Sequence, residues 1–182
     1  AARYFGDMTA HYAGRISLNP IKHIDPFGTI LVPALMMMAG GILFGWAKPV
    51  PVDFSRLRNP KRDMLWVAAA GPASNLIMAI LWAVVLKFSV HFPPSFSVPL
   101  ELMAQAGVKI NVVLMVLNLL PLPPLDGGRI AVSLLPHHLA YEYAKVERYG
   151  FIILIVLLFT GILSRILQPF IFAVINLISW LF

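Results

Sequence analysis

Residues 118–129 have the sequence Asn-Leu-Leu-Pro-Leu-Pro-Pro-Leu-Asp-Gly-Gly-Arg, which puts one carboxylate, Asp126, at the end of a membrane-length apolar run. A carboxylate at membrane depth costs about 3 kcal/mol on insertion scales, so one retained there normally faces a protein interior, an ion or a water-filled cavity. The prolines lack backbone donors and favour extended conformation, so the preceding helix should end just before the Asp. Asp126 is therefore a candidate functional residue. The alternative is a helix end at the interface, with Asp126 as a solvated cap paired with Arg129.

The composition is that of a membrane protein. Hydrophobic residues make up 59% of the chain and charged residues 12%, whereas about a quarter of an ordinary soluble domain is charged. The 182 residues fit one compact bundle, with no internal repeat. The net charge of +6 comes without a basic stripe interleaved with aromatics, so it indicates a membrane border and no nucleic-acid partner. Without cysteine, any metal must be held by His, carboxylate or water.

The apolar stretches predict an all-α polytopic membrane protein, a helical bundle of about four to five membrane segments. Five stretches qualify by hydropathy and length: residues 27–47, 64–86, 99–120, 150–164 and 166–182. The first could cross the membrane or re-enter, because Pro33 and Gly40-Gly41 interrupt it.

These stretches divide a single membrane-embedded domain, residues 1–182, into three parts. Residues 1–26 form an interfacial segment. Polar and apolar residues alternate over part of it, as they do in a short β element, which we expect on the cytoplasmic side. Residues 27–129 form the core with the Asp126 motif, and residues 150–182 form a C-terminal transmembrane hairpin.

The basic residues predict the orientation. Residues 48–63 carry five Lys or Arg residues against two Asp residues, the strongest basic excess in the chain, so this loop should face the cytoplasm. Counting membrane segments from that loop puts Asp126 near the cytoplasmic ends of the helices.

Three other polar residues are candidates for substrate or structural roles. Asn75 and Asn118 lie in apolar stretches, where an amide often only hydrogen-bonds a neighbouring helix, and for Asn75 we favour that reading. His23 could be a ligand, but a lone interfacial His is more often solvated or capping, and no second His lies three or four residues away.

The first residues resemble the tail of a helix. An Ala-rich stub, Ala1–Phe5, leads into Gly6-Asp7, and a glycine at that point commonly ends a helix. We therefore expect an N-terminally truncated domain.

Four collinear stretches resemble the site-2 protease family of intramembrane zinc metalloproteases, in its small prokaryotic branch. They are Phe5-Gly6-Asp7 with residues 14–29, residues 45–52, Gly71-Pro72-x-x-Asn75, and residues 118–129. Together they form a specific signal, whereas Gly-Pro-x-x-Asn alone is weak.

The resemblance implies that Asp126 is the third protein ligand of a catalytic Zn²⁺, and that Asn118 binds the oxyanion or positions the substrate. The family's His-Glu-x-x-His motif, which supplies two His ligands and the general-base Glu, is absent from the 182 residues and is expected immediately upstream. The fragment alone is expected to be inactive. The whole protein is expected to cleave transmembrane segments of membrane-anchored proteins in the prokaryotic cytoplasmic membrane, with its active site toward the cytoplasm.

Two other functions fit the residues. A small transporter or proton-coupled bundle could use Asp126 as its coupling carboxylate, since broken helices and an intramembrane acid also suit transport. A catalytically inactive homologue is the third reading. The sequence does not specify the substrate, the pathway or the oligomeric state.

Overall fold

The computed structural model describes residues 1–17, 19–38, 45 and 47–181, which are mostly helical. The helices are α1 Thr9–Tyr12, α2 Val32–Met38, α3 Pro60–Ser89, α4 Pro94–Asn118, α5 Asp126–Leu134, α6 His137–Ala144, α7 Glu147–Phe159 and α8 Ile162–Leu181. There are also two 3₁₀ turns, Pro20–His23 and Phe54–Arg56, and a π-helical stretch, Pro26–Leu31. The predicted all-α membrane class is confirmed.

The short β element suggested for residues 1–26 is not found in the described part of that segment. Asn19 Oδ1 accepts a hydrogen bond from the backbone N–H of Ile21, and Asp25 Oδ1 accepts two, from Phe27 and Gly28. Each of these two residues is followed by proline, which suits the first position of a helical turn. Side-chain capping therefore starts helical turns in a segment where the alternation of polar and apolar residues had suggested a strand.

Within the described residues, three helices, α3, α4 and α8, are long and apolar enough to cross a membrane, whereas four to five segments were predicted. Helix α7 has 13 residues, about 20 Å, because Gly161 with φ +73° ends it before the predicted break at Arg165. Of the predicted segment 27–47, the described part forms the short apolar helix Pro26–Met38. Residues 39–44 and 46 lie outside the described residues, so whether this segment spans or re-enters stays a prediction.

The chain divides into two compact units, Ala1–Pro60 and Lys61–Phe182. In the first unit, the N–H of Gly6 donates to the carbonyl of Arg3, and the N–H of Asp7 donates to that of Ala2. This pair of bonds, with Gly6 at φ +112°, is the Schellman arrangement that closes a helix. Residues 2–6 form turns, and the helix tail expected for Ala1–Phe5 stays a prediction.

The second unit is built around α3, α4 and α8. Buried Ala79 and Ala83 of α3 face a ladder of apolar residues on α4, and Leu163, Leu167 and Ile178 of α8 complete the cluster. Gly107 of α4 makes room for the Trp82 side chain of α3, because a Cβ on Gly107 would lie 2.4 Å from the Trp82 ring. This core holds α3 and α4 as an antiparallel pair joined by residues 90–93.

Candidate metal centre

The proline-rich loop leads directly into α5, whose first residue is Asp126. Helix α4 ends at Asn118, as the prolines predicted, and the chain then turns through Leu119–Leu125. The predicted break just before the carboxylate is confirmed.

Asp126 packs against the middle of α3. A Cβ built on Gly71 would lie 2.6 Å from Asp126 Oδ2, a distance at which no side chain at position 71 would fit without moving the carboxylate. The Gly71-Pro72-x-x-Asn75 motif and the Asp126 motif, more than 50 residues apart in sequence, therefore meet in space. Gly71 lies about seven residues, roughly 10 Å, inside the apolar part of α3 that begins at Met64.

The Asp126 carboxylate is half-buried, and within the described residues neither of its oxygens accepts a hydrogen bond. Arg129, three residues further along α5, places a positive charge near this carboxylate.

Glycines pack the α5 start against the loop. A Cβ on Gly127 would lie 2.3 Å from the carbonyl oxygens of Leu119 and Leu120, and a Cβ on Gly128 would lie 2.4 Å from the backbone nitrogen of Pro123. Backbone atoms cannot move aside as the end of a flexible side chain can. Any side chain at position 127 or 128 would therefore clash with the loop, and both positions require glycine. The residue after Asn118 thus touches the residue after Asp126.

Two residues that the sequence analysis did not single out also hold this loop. The Tyr143 hydroxyl of α6 donates to the carbonyl of Pro121, and a Cβ on Gly150 of α7 would overlap the carbonyl oxygen of Pro123. A glycine in an apolar helix was the available signal for Gly150, since such glycines allow close helix approach.

Asn75 lies one helical turn after Gly71 and therefore on the face of α3 that meets Asp126. Its side chain is half-buried and makes no hydrogen bond to the described residues, so the interhelical bond favoured from sequence is not seen there. The Asn118 side chain is also half-buried and has no hydrogen-bond partner in the same set. Both amides remain available to an external group.

His23 belongs to the first unit, where its Nε2 lies 3.0 Å from the carbonyl oxygen of Ser17 and donates to it. The backbone carbonyl of His23 accepts from the N–H of Lys48. These bonds give His23 a structural role, and a ligand role stays a prediction.

An apolar groove runs beside the loop, between the end of α4 and α8. Its volume is about 410 Å³, and it is lined by residues that include Met115, Leu119, Pro121, Ile166 and Phe170. The described residues contain no group of three His, Cys, Asp or Glu side chains that could hold a metal ion. Asp126 thus offers one carboxylate ligand, and the described residues contain no cluster that would supply the other ligands of a metal.

Known proteins resemble this chain over most of its length. The chain is 42% identical over 169 residues to YwhC of Bacillus subtilis, whose name describes it provisionally as a zinc metalloprotease; the match covers 91% of this chain and 74% of YwhC. Proteins named Rip2, with the same provisional description, match at 34% identity in Mycolicibacterium smegmatis and 29% in Mycobacterium tuberculosis. Those matches cover 88% and 98% of this chain, but only 60% and 64% of the mycobacterial proteins.

A family model matches the segment that contains Asp126 and the proline-rich loop. The model for Peptidase family M50 matches residues 95–161, which include α4, the proline-rich loop and α5. No solved structure matches the chain significantly. None of the four relatives found carries a transporter name.

Proposed function

The chain belongs to peptidase family M50, the site-2 protease family of intramembrane zinc metalloproteases, and from this premise we propose that Asp126 is its zinc ligand and Asn118 its substrate-contacting residue. The contact between Asp126 and Gly71 carries the proposal. It brings the two motifs of the resemblance together around a half-buried carboxylate that accepts no hydrogen bond from the described residues.

The residues present fit zinc in part. A carboxylate is an ordinary zinc ligand, and the half-buried position of Asp126 suits a metal that needs a partly dry site. One carboxylate cannot hold zinc alone, so we propose that two His residues and a general-base Glu come from a His-Glu-x-x-His helix preceding Ala1. When bound, zinc supplies Lewis acidity and lowers the pKa of water toward about 7.

The chain's own residues have separate tasks in this proposal. Asp126 binds and orients the metal from the first turn of α5, and the loop packed on Gly127 and Gly128 holds that turn in place. Asn118 donates its side-chain amide to the carbonyl oxygen of the peptide bond to be cleaved, where negative charge develops. The groove between α4 and α8 takes apolar side chains of the substrate next to that bond.

The proposed substrates are transmembrane segments of membrane-anchored proteins, since the site lies among membrane-length helices. An extended peptide is easier to cleave than a helix, whose amides are shielded. Pro49–Val52 is exposed or half-exposed and forms neither helix nor strand, so we propose that it is open to strand addition by the substrate.

We propose that the site opens toward the cytoplasm, in the prokaryotic inner membrane. Lys61 and Arg62 begin α3 at the end of the basic loop, and Gly71 is about 15 Å further along the helix axis. The carboxylate is therefore near the basic end of α3, where water can reach it over a short distance.

The test is zinc content and cleavage of a transmembrane substrate by the full-length protein and its Asp126→Ala variant, both in detergent. Asp126→Ala should lose stoichiometric zinc and all cleavage while remaining folded. Glu142→Ala is the matched control, because it removes an exposed carboxylate paired only with Lys145 and should keep both properties. Full zinc occupancy in Asp126→Ala would remove Asp126 from the ligand set.

A further inference from the structure

The far end of α5 is attached to the beginning of α3. The ammonium group of Lys61, in the first turn of α3, donates a hydrogen bond to the carbonyl oxygen of Leu135 at 2.5 Å. Leu135 is the residue at which α5 ends and the chain becomes extended. A cation at this end of a helix is also favoured by the helix dipole.

The near end of α5 is in contact with the same helix, through Asp126 and Gly71. Lys61 and Gly71 are ten residues apart, about 15 Å along α3, and Asp126 and Leu135 are nine residues apart, about 13.5 Å along α5. The two spans match, so α5 has a direction opposite to that of the Lys61–Gly71 part of α3 and contacts it at its two ends.

We propose that Lys61 is a positioning residue that sets where the Asp126 carboxylate lies along α3. The contact at Gly71 is a close approach without a bond, so it limits how near the carboxylate comes but does not fix it lengthwise. The Lys61 bond at the opposite end adds a lengthwise constraint to the one supplied by the loop that packs on Gly127 and Gly128. This inference rests on the proposed role of Asp126 as a metal ligand.

The expected loss of zinc affinity depends on how precisely a metal ligand must be placed. A slide of α5 by one residue would move the carboxylate about 1.5 Å, well beyond the tolerance of about 0.5 Å for a working site. Residues that orient metal ligands typically change metal affinity by about 10- to 100-fold when mutated. For Lys61, whose bond is nine residues from the carboxylate, we expect the lower end of this range.

The chain offers a closely matched control. Arg62 is the next residue, carries the same charge in the same helical turn, is exposed, and makes no hydrogen bond or ion pair with the described residues. Lys61→Met and Arg62→Met therefore change the net charge of the basic end equally, and only the first removes the bond to Leu135.

The experiment measures zinc affinity by competition with a chelator, and amide hydrogen exchange across Asp126–Leu134, in the full-length protein. Lys61→Met should bind zinc about 10-fold more weakly than Arg62→Met and exchange its α5 amides faster. Lys61→Arg, which keeps a long cationic donor, should recover most of the affinity. Recovery by this variant separates positioning from a general loss of stability.

The two proposals fail in different ways. If the unmutated protein bound no zinc, the proposed function would fall, and the exchange data would still decide whether Lys61 anchors α5. Equal exchange in Lys61→Met and Arg62→Met would overturn the inference about Lys61, whatever the zinc content. Equal zinc affinity in those two variants would overturn it as well.

Discussion

Asp126 Oδ2 occupies the space into which a side chain on Gly71 would grow, with only 2.6 Å between the oxygen and a Cβ at that position. The atom in the way is the end of a flexible side chain and not backbone. A methyl group at position 71 can therefore be accommodated if the carboxylate turns aside, and the fold need not change. This separates the effect on the metal site from the effect on stability.

Gly71→Ala should weaken zinc binding while leaving the fold at least as stable. Alanine is favoured over glycine in a helix interior by about 1 kcal/mol, and the steric conflict is relieved by moving the Asp126 carboxylate. Chelator competition and thermal unfolding in detergent, on the same full-length sample, check the two effects. Unchanged zinc affinity in Gly71→Ala would contradict the contact described here.

Gly107→Ala should give the reverse result. A Cβ there would lie 2.4 Å from the Trp82 ring, in the core between α3 and α4 and away from the proline-rich loop. Overpacking of this kind typically costs about 1–3 kcal/mol. We expect a lower unfolding temperature with unchanged zinc affinity in the protein that remains folded, and a drop in zinc affinity without destabilisation would contradict this assignment.

Asn118→Ala should reduce cleavage without removing the metal. Losing one donor to a developing oxyanion typically costs about 2.7–4 kcal/mol, or roughly 100- to 1000-fold in rate. Asn111→Ala is the matched control, because this buried amide of the same helix already donates to the carbonyl of Gly107 and should affect stability alone. Near-normal cleavage by Asn118→Ala would reduce Asn118 to a packing residue.

Asp7 should make the first unit sensitive to acid. This carboxylate is 1% exposed. Burial alone would raise its pKa, but hydrogen bonds from Thr9 and from the N–H of Asp53, with the charge of Arg56, outweigh burial and lower the pKa. A lowered pKa means that the carboxylate stabilises the fold above the unfolded-state value of about 4, and that this contribution is lost as the pH falls below it.

Asp7→Asn should therefore destabilise the protein at pH 7, by about 1–3 kcal/mol, and flatten the decline of stability between pH 5 and pH 3. Urea unfolding of the full-length protein in detergent at several pH values measures both effects. Glu142→Gln, at an exposed surface pair, should change neither. An Asp7→Asn variant with an unaltered pH profile would show that other acids control acid sensitivity.

The sequence predicted those features that local chemistry controls. The end of α4 at Asn118 follows from prolines that cannot continue a helix, and the close backbone approaches at Gly127 and Gly128 follow from the absence of side chains. Hydropathy identified the three long helices because each contains an apolar run close to membrane length.

Features that depend on distant partners were missed. The bond from Lys61 to Leu135 joins residues 74 positions apart, and no periodicity encodes it. The end of α7 was misplaced because Arg165, expected to break the hairpin, is an exposed residue inside α8, where a long side chain can reach the membrane surface. The residue that ends α7 is Gly161, and its positive φ in the structure identifies it.

The proline-rich loop can receive hydrogen bonds but can hardly give any. Pro121, Pro123 and Pro124 have no amide hydrogen, and the N–H of Leu122 already donates to the carbonyl of Leu120. A peptide lying along residues 121–124 would therefore find no backbone donor for its carbonyl groups. Polarising a substrate carbonyl there requires a donor from a side chain, and the nearest preceding amide in the sequence is Asn118.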